Sequence, residues 1–218
     1  MPVSPADPYL IPGTSVLRNL LKIENQAELE QVEHELTWPR RQQLELDPVA
    51  GNFDLEHLRE IHRILFQDIY DWAGQLRVIA ISKGSSLFFA SSNWRAADQY
   101  VFGDIHNSGL LDPTTRQTRY VAILAELLGK VNYLHPFRDG NGRAQRAFLD
   151  QIASQTGRVL SWRNVGELEN IRASIESVRS GNGAAFVPLI AKMLEPPIDG
   201  LSPFEADLYQ SQGYLPPH

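Results

Sequence analysis

The sequence predicts an all-α fold carrying one small β-hairpin. Apolar residues recur at helical spacing, at Leu29, Val32 and Leu36, then at Leu55, Leu58, Ile61, Leu65 and Ile69, then at Leu168, Ile171, Ile175 and Val178. Strand-like alternation falls at 76–81, with a return at 87–90 around the turn Lys83-Gly84-Ser85-Ser86. Between Tyr120 and Leu134 the apolar residues cover more than one face, as they do on a helix buried at the centre of a bundle.

Taken in order, residues 1–15 hold four prolines and predict an extended lead-in, part of an N-terminal arm over 1–20. A helix over 26–38 should stop at Pro39, with a short helix at 40–46 and a loop at 48–52. Asp54 caps the next helix. His57 and His62 lie on it five apart, which puts their rings on different sides, so a zinc pair is set aside in favour of packing or surface roles. A helix over 92–107 buries Trp94, Ala97, Val101 and Ile105, with His106 directed at its last carbonyls. Asp112-Pro113 is a helix start, and the central helix runs from there to Leu134. Helices at 166–180 and 184–194 follow, the first with Leu168, Ile171, Ile175 and Val178 inward. Residues 1–195 form one domain, and 196–218, with five prolines and two tyrosines, form a loosely attached or docking tail.

The 218 residues suffice for one domain with a core of its own. A net charge of −6 argues against general affinity for nucleic acid or an anionic membrane. The chain has no cysteine, which removes disulfides, thiolate zinc sites and cysteine nucleophiles. No apolar run reaches a membrane-spanning length and no signal segment opens the chain, so a cytoplasmic location is expected, with delivery into another cell left open.

The chemistry is concentrated in 135–146, His-Pro-Phe-Arg-Asp-Gly-Asn-Gly-Arg-Ala-Gln-Arg. Histidine is the residue type suited to proton transfer near neutral pH, and His135 sits before a proline, which ends the preceding helix at Leu134. Gly140 and Gly142 permit a turn that aims backbone N–H groups at one spot, an anion site at a helix start. Asp139 is a hard oxygen ligand able to hold Mg²⁺ with substrate phosphates. Arg143 and Arg146, three apart, share a helix face and suit phosphate oxygens. A base, an anion cradle, a metal ligand and two clamps equip a site for phosphoryl or nucleotidyl transfer. The plain alternative is a helix–turn–helix corner with solvated arginines.

The stretch resembles the Fic motif, HxFx(D/E)GNGRxxR, and matches every defined position. The resemblance extends to Tyr9–Asn19, which begins Tyr-Leu-Ile-Pro-Gly-Thr-Ser, to 33–37, to 53–74 and to 77–84. It implies a Fic helical bundle whose hairpin, 76–90 with Lys83 at its tip, is a flap holding the target segment. The alternative is a surface hairpin with Lys83 solvated. It implies AMP transfer from ATP, with Mg²⁺, to a Tyr, Thr or Ser hydroxyl of a target protein. His135 would be the base and Asp139 the metal ligand. Phe137, Gly140, Asn141, Gly142 and Lys83 would serve the nucleotide, with the Asn141 side chain on the α-phosphate, Arg143 on the β-phosphate and Arg146 on the γ-phosphate. The inhibitory pattern (S/T)xxxE(G/N) is absent: the Glu-Asn pairs at 24–25 and 169–170 are preceded by Leu20 and Val165. That absence resembles the class restrained by a separate small antitoxin, whose toxins act on type II topoisomerases. Secreted effectors acting on small GTPases, a Doc-like kinase and a non-catalytic binding module remain as rivals.

Overall fold

A computed structural model of the chain describes residues 7–83, 86–89 and 93–195, with 83, 86, 87 and 195 described in backbone only. The expected tail at 196–218 lies outside these residues. The fold is mostly helical, as the periodicity predicts. Helix α1 is Gln26–Leu46, α2 Leu55–Phe66, α3 Trp94–Phe102, α4 Ile105–Ser108, α5 Gln117–Leu134, α6 Asn141–Ser154, α7 Glu167–Ser180 and α8 Val187–Met193. Two antiparallel pairs accompany them, β1 Ser82–Lys83 with β2 Ser86–Leu87, and β3 Val159–Leu160 with β4 Leu194–Glu195. Helix α5 is central, packed by α3, α6, α7 and α8, while α2 lies between α1 and α6. The expected apolar set of α2, Leu55, Leu58, Ile61 and Leu65, is buried, and Asp54 accepts from the His57 N–H at 2.9 Å as its cap.

Several boundaries differ from expectation, each for a physical reason. Pro39 does not stop α1, which runs on to Leu46. A proline inside a helix costs about 3 kcal/mol. Burial of Leu44 returns roughly 2 kcal/mol. Arg40 adds a bidentate pair to Asp68 at 2.7 and 2.9 Å. From Asp7 onward the N-terminal arm is not extended. It turns at Gly13, forms a Leu10–Leu17 bridge, and buries Tyr9 edge-on against Trp72. The expected helix over 92–107 is broken into α3 and α4, and His106 meets the Asn52 carbonyl at 3.0 Å rather than its own helix end. Asp112 accepts from Thr114 and shapes a turn, so α5 begins only at Gln117.

Helix α7 is turned the other way from its apolar pattern. Leu168 and Ile175 are 70% and 51% exposed, while Ala173 and Ser177 face inward. The reason is close approach to α5. A Cβ on Gly129 would lie 3.0 Å from the Ser177 hydroxyl, and one on Gly183 would overlap the Ala125 carbonyl at 2.1 Å. Large side chains cannot fit a gap of that width, so they take the outer face. The second Gly-Asn-Gly, 181–183, is thus a packing point as well as a helix stop.

The expected strand at 76–81 does not form, and the pairing falls instead at Ser82–Lys83 with Ser86–Leu87, largely within the expected turn. Arg77 explains the difference. Its side chain is 1% exposed and turns inward, donating to the carbonyls of Ile79 at 2.7 Å, His135 at 2.8 Å and Phe89. Its backbone N–H donates to the Pro136 carbonyl at 2.9 Å. The segment pairs with the end of α5 through this residue rather than with 87–90 as a ladder.

Replacing Arg77 by Leu leaves those buried carbonyls without donors. The expected loss is about 3 kcal/mol of unfolding free energy, read by urea denaturation. Arg63→Leu, which removes only a half-exposed pair with Glu60, should cost about 0.5 kcal/mol or less.

Candidate active site

The C-terminal end of α5 places His135 in the left-handed region, at φ 43° and ψ 61°. A non-glycine residue there costs about 1–2 kcal/mol, and the following Pro136 already disfavours a helical continuation. The conformation is held by Arg77 on the His135 carbonyl and by the His135 N–H on the Val131 carbonyl at 3.1 Å. The imidazole stacks on buried Phe88, just beyond β2, with centroids 3.9 Å apart. Its Nδ1 lies 3.3 Å from the Asn132 carbonyl. A carbonyl only accepts, so Nδ1 carries the proton and Nε2 the lone pair a general base needs.

Beneath the turn sits His62. The Gly74 N–H donates to its Nδ1 at 2.9 Å, so Nε2 carries the proton and donates to the Asp139 carbonyl at 3.0 Å. Its ring stacks on Phe137 at 3.8 Å. Burial pushes its pKa down to about 3, and the neutral tautomer is fixed by its partners. Gly140 is left-handed at φ 75°, and a Cβ there would lie 2.4 Å from the Phe66 ring and 3.0 Å from His62. Glycine at this position is therefore required twice, by dihedral and by space.

The turn opens α6, and the N–H groups of Asn141 and Gly142 at its start have no acceptor among the described residues. Such donors at a helix start are what the expected anion cradle requires. Asp139, 51% exposed, accepts from the Gly140 N–H through Oδ1. Its second oxygen suits one coordination position of Mg²⁺, an ion that keeps waters and phosphate oxygens as its other ligands.

Two of the residues expected to meet the nucleotide, Phe137 and Asn141, are buried within the turn. Phe137 is fully buried against His62 and serves as a plug. The Asn141 amide, also buried, donates to the Phe137 carbonyl at 2.9 Å and accepts from the Phe137 N–H at 3.0 Å. Both its ends are used in closing the turn, so its side chain shapes the cradle instead of lining it. Lys83 lies in β1, but its side chain falls outside the described residues.

The two arginines have different surroundings. Arg143 donates to Glu33 on α1 at 2.7 Å and lies over the Phe66 ring at 4.5 Å. Arg146 forms no ion pair among the described residues, although Asp150 and Arg41 are its electrostatic neighbours. Burial, and then the like charges of Arg41 and Arg143, hold its pKa below the usual arginine value. An anion would relieve that repulsion. Beside it a groove of about 600 Å³ is lined by Trp38, Arg41, Leu46, Asp150 and Trp162. Asp150 accepts from the Trp162 indole at 2.6 Å and faces Arg41 at 3.4 Å.

The Fic/DOC family model matches residues 52–153. The probable protein adenylyltransferase Fic of Escherichia coli is 38% identical over 188 residues, which cover 86% of this chain and 92% of that protein. The chain belongs to the Fic/DOC family. The protein adenylyltransferase VbhT of Bartonella schoenbuchensis is 37% identical over 193 residues, 86% of this chain and 39% of that longer protein. The fold is shared with the effector BepC of Bartonella tribocorum, solved with bound AMPPNP. The TM-score is 0.79 and the identity 21%, covering 87% of this chain and 97% of that one.

Arg77, His62 and Glu33 shape this Fic site from outside its motif, and the sequence reading assigned none of them a part in it. His62 yields a pH test. Below pH 6.5 the unfolded chain binds a proton that folded His62 refuses until about pH 3. Its contribution to stability is therefore lost as pH falls through that window, by at most about 1.4 kcal/mol per unit. The difference between the stability–pH profiles of wild type and His62→Gln should show this slope. Gly140→Ala should unfold at lower denaturant, by about 3 kcal/mol, on the same assay.

Proposed function

We propose that this chain is a protein adenylyltransferase, moving AMP from ATP to a Tyr, Thr or Ser hydroxyl on a target protein. The observation that carries the reading is the pairing of a base with a cradle. His135 Nε2 holds the lone pair, and α6 begins six residues later with two amides that have no acceptor, and with Arg146 in no ion pair, among the described residues. The target hydroxyl gives its proton to His135 Nε2 while its oxygen attacks the α-phosphorus. The bond from that phosphorus to the β-phosphate oxygen breaks, and pyrophosphate leaves on the far side. The cradle amides stabilise charge on the α-phosphate, Arg143 holds the β-phosphate and Arg146 the γ-phosphate. Asp139 would hold Mg²⁺, which when bound offsets phosphate charge. Phe88 against the imidazole brings the hairpin beside the base, where a target segment could pair with its edge.

The finer reading is a toxin restrained by a separate antitoxin protein. Among the described residues Arg146 has no carboxylate within ion-pair distance, and the groove that Arg41 and Asp150 line has tryptophans at its walls. A partner helix carrying a glutamate would fill the groove and neutralise Arg146, excluding the γ-phosphate.

The test uses cell lysate with ATP labelled at the α- or the γ-phosphate. Transfer of α-label alone, lost in His135→Ala by a factor of at least about 10² while ATP still binds, is expected. Transfer of γ-label would establish a kinase instead. Asp139→Ala should abolish the dependence of transfer on added Mg²⁺.

A further inference from the structure

We propose that Glu33, seconded by Tyr70, is a positioning residue for the transfer reaction, fixing the Arg143 guanidinium so that its remaining N–H groups face the phosphate cradle before nucleotide arrives. The proposal rests on the adenylyltransferase reading above and deepens it.

Glu33 is 110 residues from Arg143 in sequence and only 8% exposed. Its two carboxylate oxygens have separate duties. Oε2 accepts from Arg143 Nη2 at 2.7 Å, and Oε1 accepts from the hydroxyl of buried Tyr70. Burial, and then the hydrogen bond to Glu33, raise the Tyr70 phenol well above its ordinary pKa, so it stays neutral and a donor. Phe66 covers one face of the guanidinium, and Asp139 Oδ1 stands 3.9 Å from the same nitrogen that Glu33 holds. One edge and one face of a side chain with four rotatable bonds are thus fixed. The ordering is done before nucleotide binds, which removes it from the cost of binding.

The same ion pair could be read as competition, with Glu33 occupying the arginine that phosphate needs. A competitor must leave when phosphate arrives, and Glu33 is poorly able to. Its helix is pinned by Arg40 on Asp68 and Arg41 on Asp150. Departure would also leave the Tyr70 hydroxyl buried without an acceptor. The two readings predict opposite signs.

The experiment is calorimetric titration of the purified full chain with ATP, for wild type, Glu33→Ala, Glu33→Gln and Tyr70→Phe, beside their melting curves. Positioning predicts that ATP affinity falls about tenfold in Glu33→Ala, and only about two- to threefold in Glu33→Gln, which keeps an acceptor, and in Tyr70→Phe. In an Arg143→Ala background, Glu33→Gln should have no further effect, because the residue acts through that arginine. Unchanged or tighter ATP binding in folded Glu33→Ala or Glu33→Gln would overturn the proposal. So would an equal loss in the Arg143→Ala background. If wild type binds no ATP, the adenylyltransferase reading itself fails; if wild type binds and the Glu33 variants match it, only the positioning role does.

Discussion

A guanidinium with no carboxylate beside it among the described residues, sunk almost wholly from solvent, joins three separate parts of this chain. Arg77 donates to carbonyls at Ile79, in the stem of the hairpin, at Phe89, on its far side, and at His135, at the end of the central helix. A buried arginine is tolerable only when its donors are satisfied, and here neutral carbonyls satisfy them. Some of these are carbonyls that a helix end leaves without intrahelical partners. His135 thus owes its backbone conformation to a residue 58 positions away. The hairpin and His135 are fixed to one another by the same side chain.

The charges around the cradle are arranged asymmetrically. Arg143 is compensated by Glu33, and Arg41 by Asp150 and Glu45. Arg146 stands between Arg41 and Arg143 with its pKa depressed. Desolvation raises the Asp150 carboxyl, while Arg41 and Arg146 pull it back. The electrostatic deficit is therefore localised on Arg146 and on the first amides of α6, where a polyphosphate or a partner's carboxylate has most to gain. A site with every cation already paired would bind phosphate only by breaking internal pairs.

What the sequence makes legible follows from range. The motif at 135–146 is contiguous, so base, turn and arginines can be read together, and the capping of α2 by Asp54 is equally local. Pairings across 58, 77 and 110 positions, from Arg77, His62 and Glu33, leave no local trace. His62 sits in a helical pattern as one more half-polar residue, and Arg77 interrupts a strand-like run. Helix α7 shows the reverse failure. Its apolar period is a true helical signal, but the side it faces depends on how near Gly129 and Gly183 let the neighbouring backbone come. Pro39 is similar: its local veto on helix is real, and tertiary contacts from Arg40 and Leu44 outweigh it.

Most of the distant braces act on the backbone of the motif. Arg77 holds the His135 and Pro136 carbonyls, and His62 holds the Asp139 carbonyl. A brace of this kind can be exchanged for another donor without altering which side chains meet the substrate. Within the motif, the Asn141 side chain does the same work on the Phe137 backbone, with both ends of its amide engaged there. Glu33 is different in kind, because it touches the working end of a motif side chain. Its charge enters the electrostatics that phosphate meets, and its geometry sets which N–H groups of Arg143 remain to be used. Scaffold and chemistry meet at that carboxylate, which serves the buried Tyr70 hydroxyl with one oxygen and Arg143 with the other.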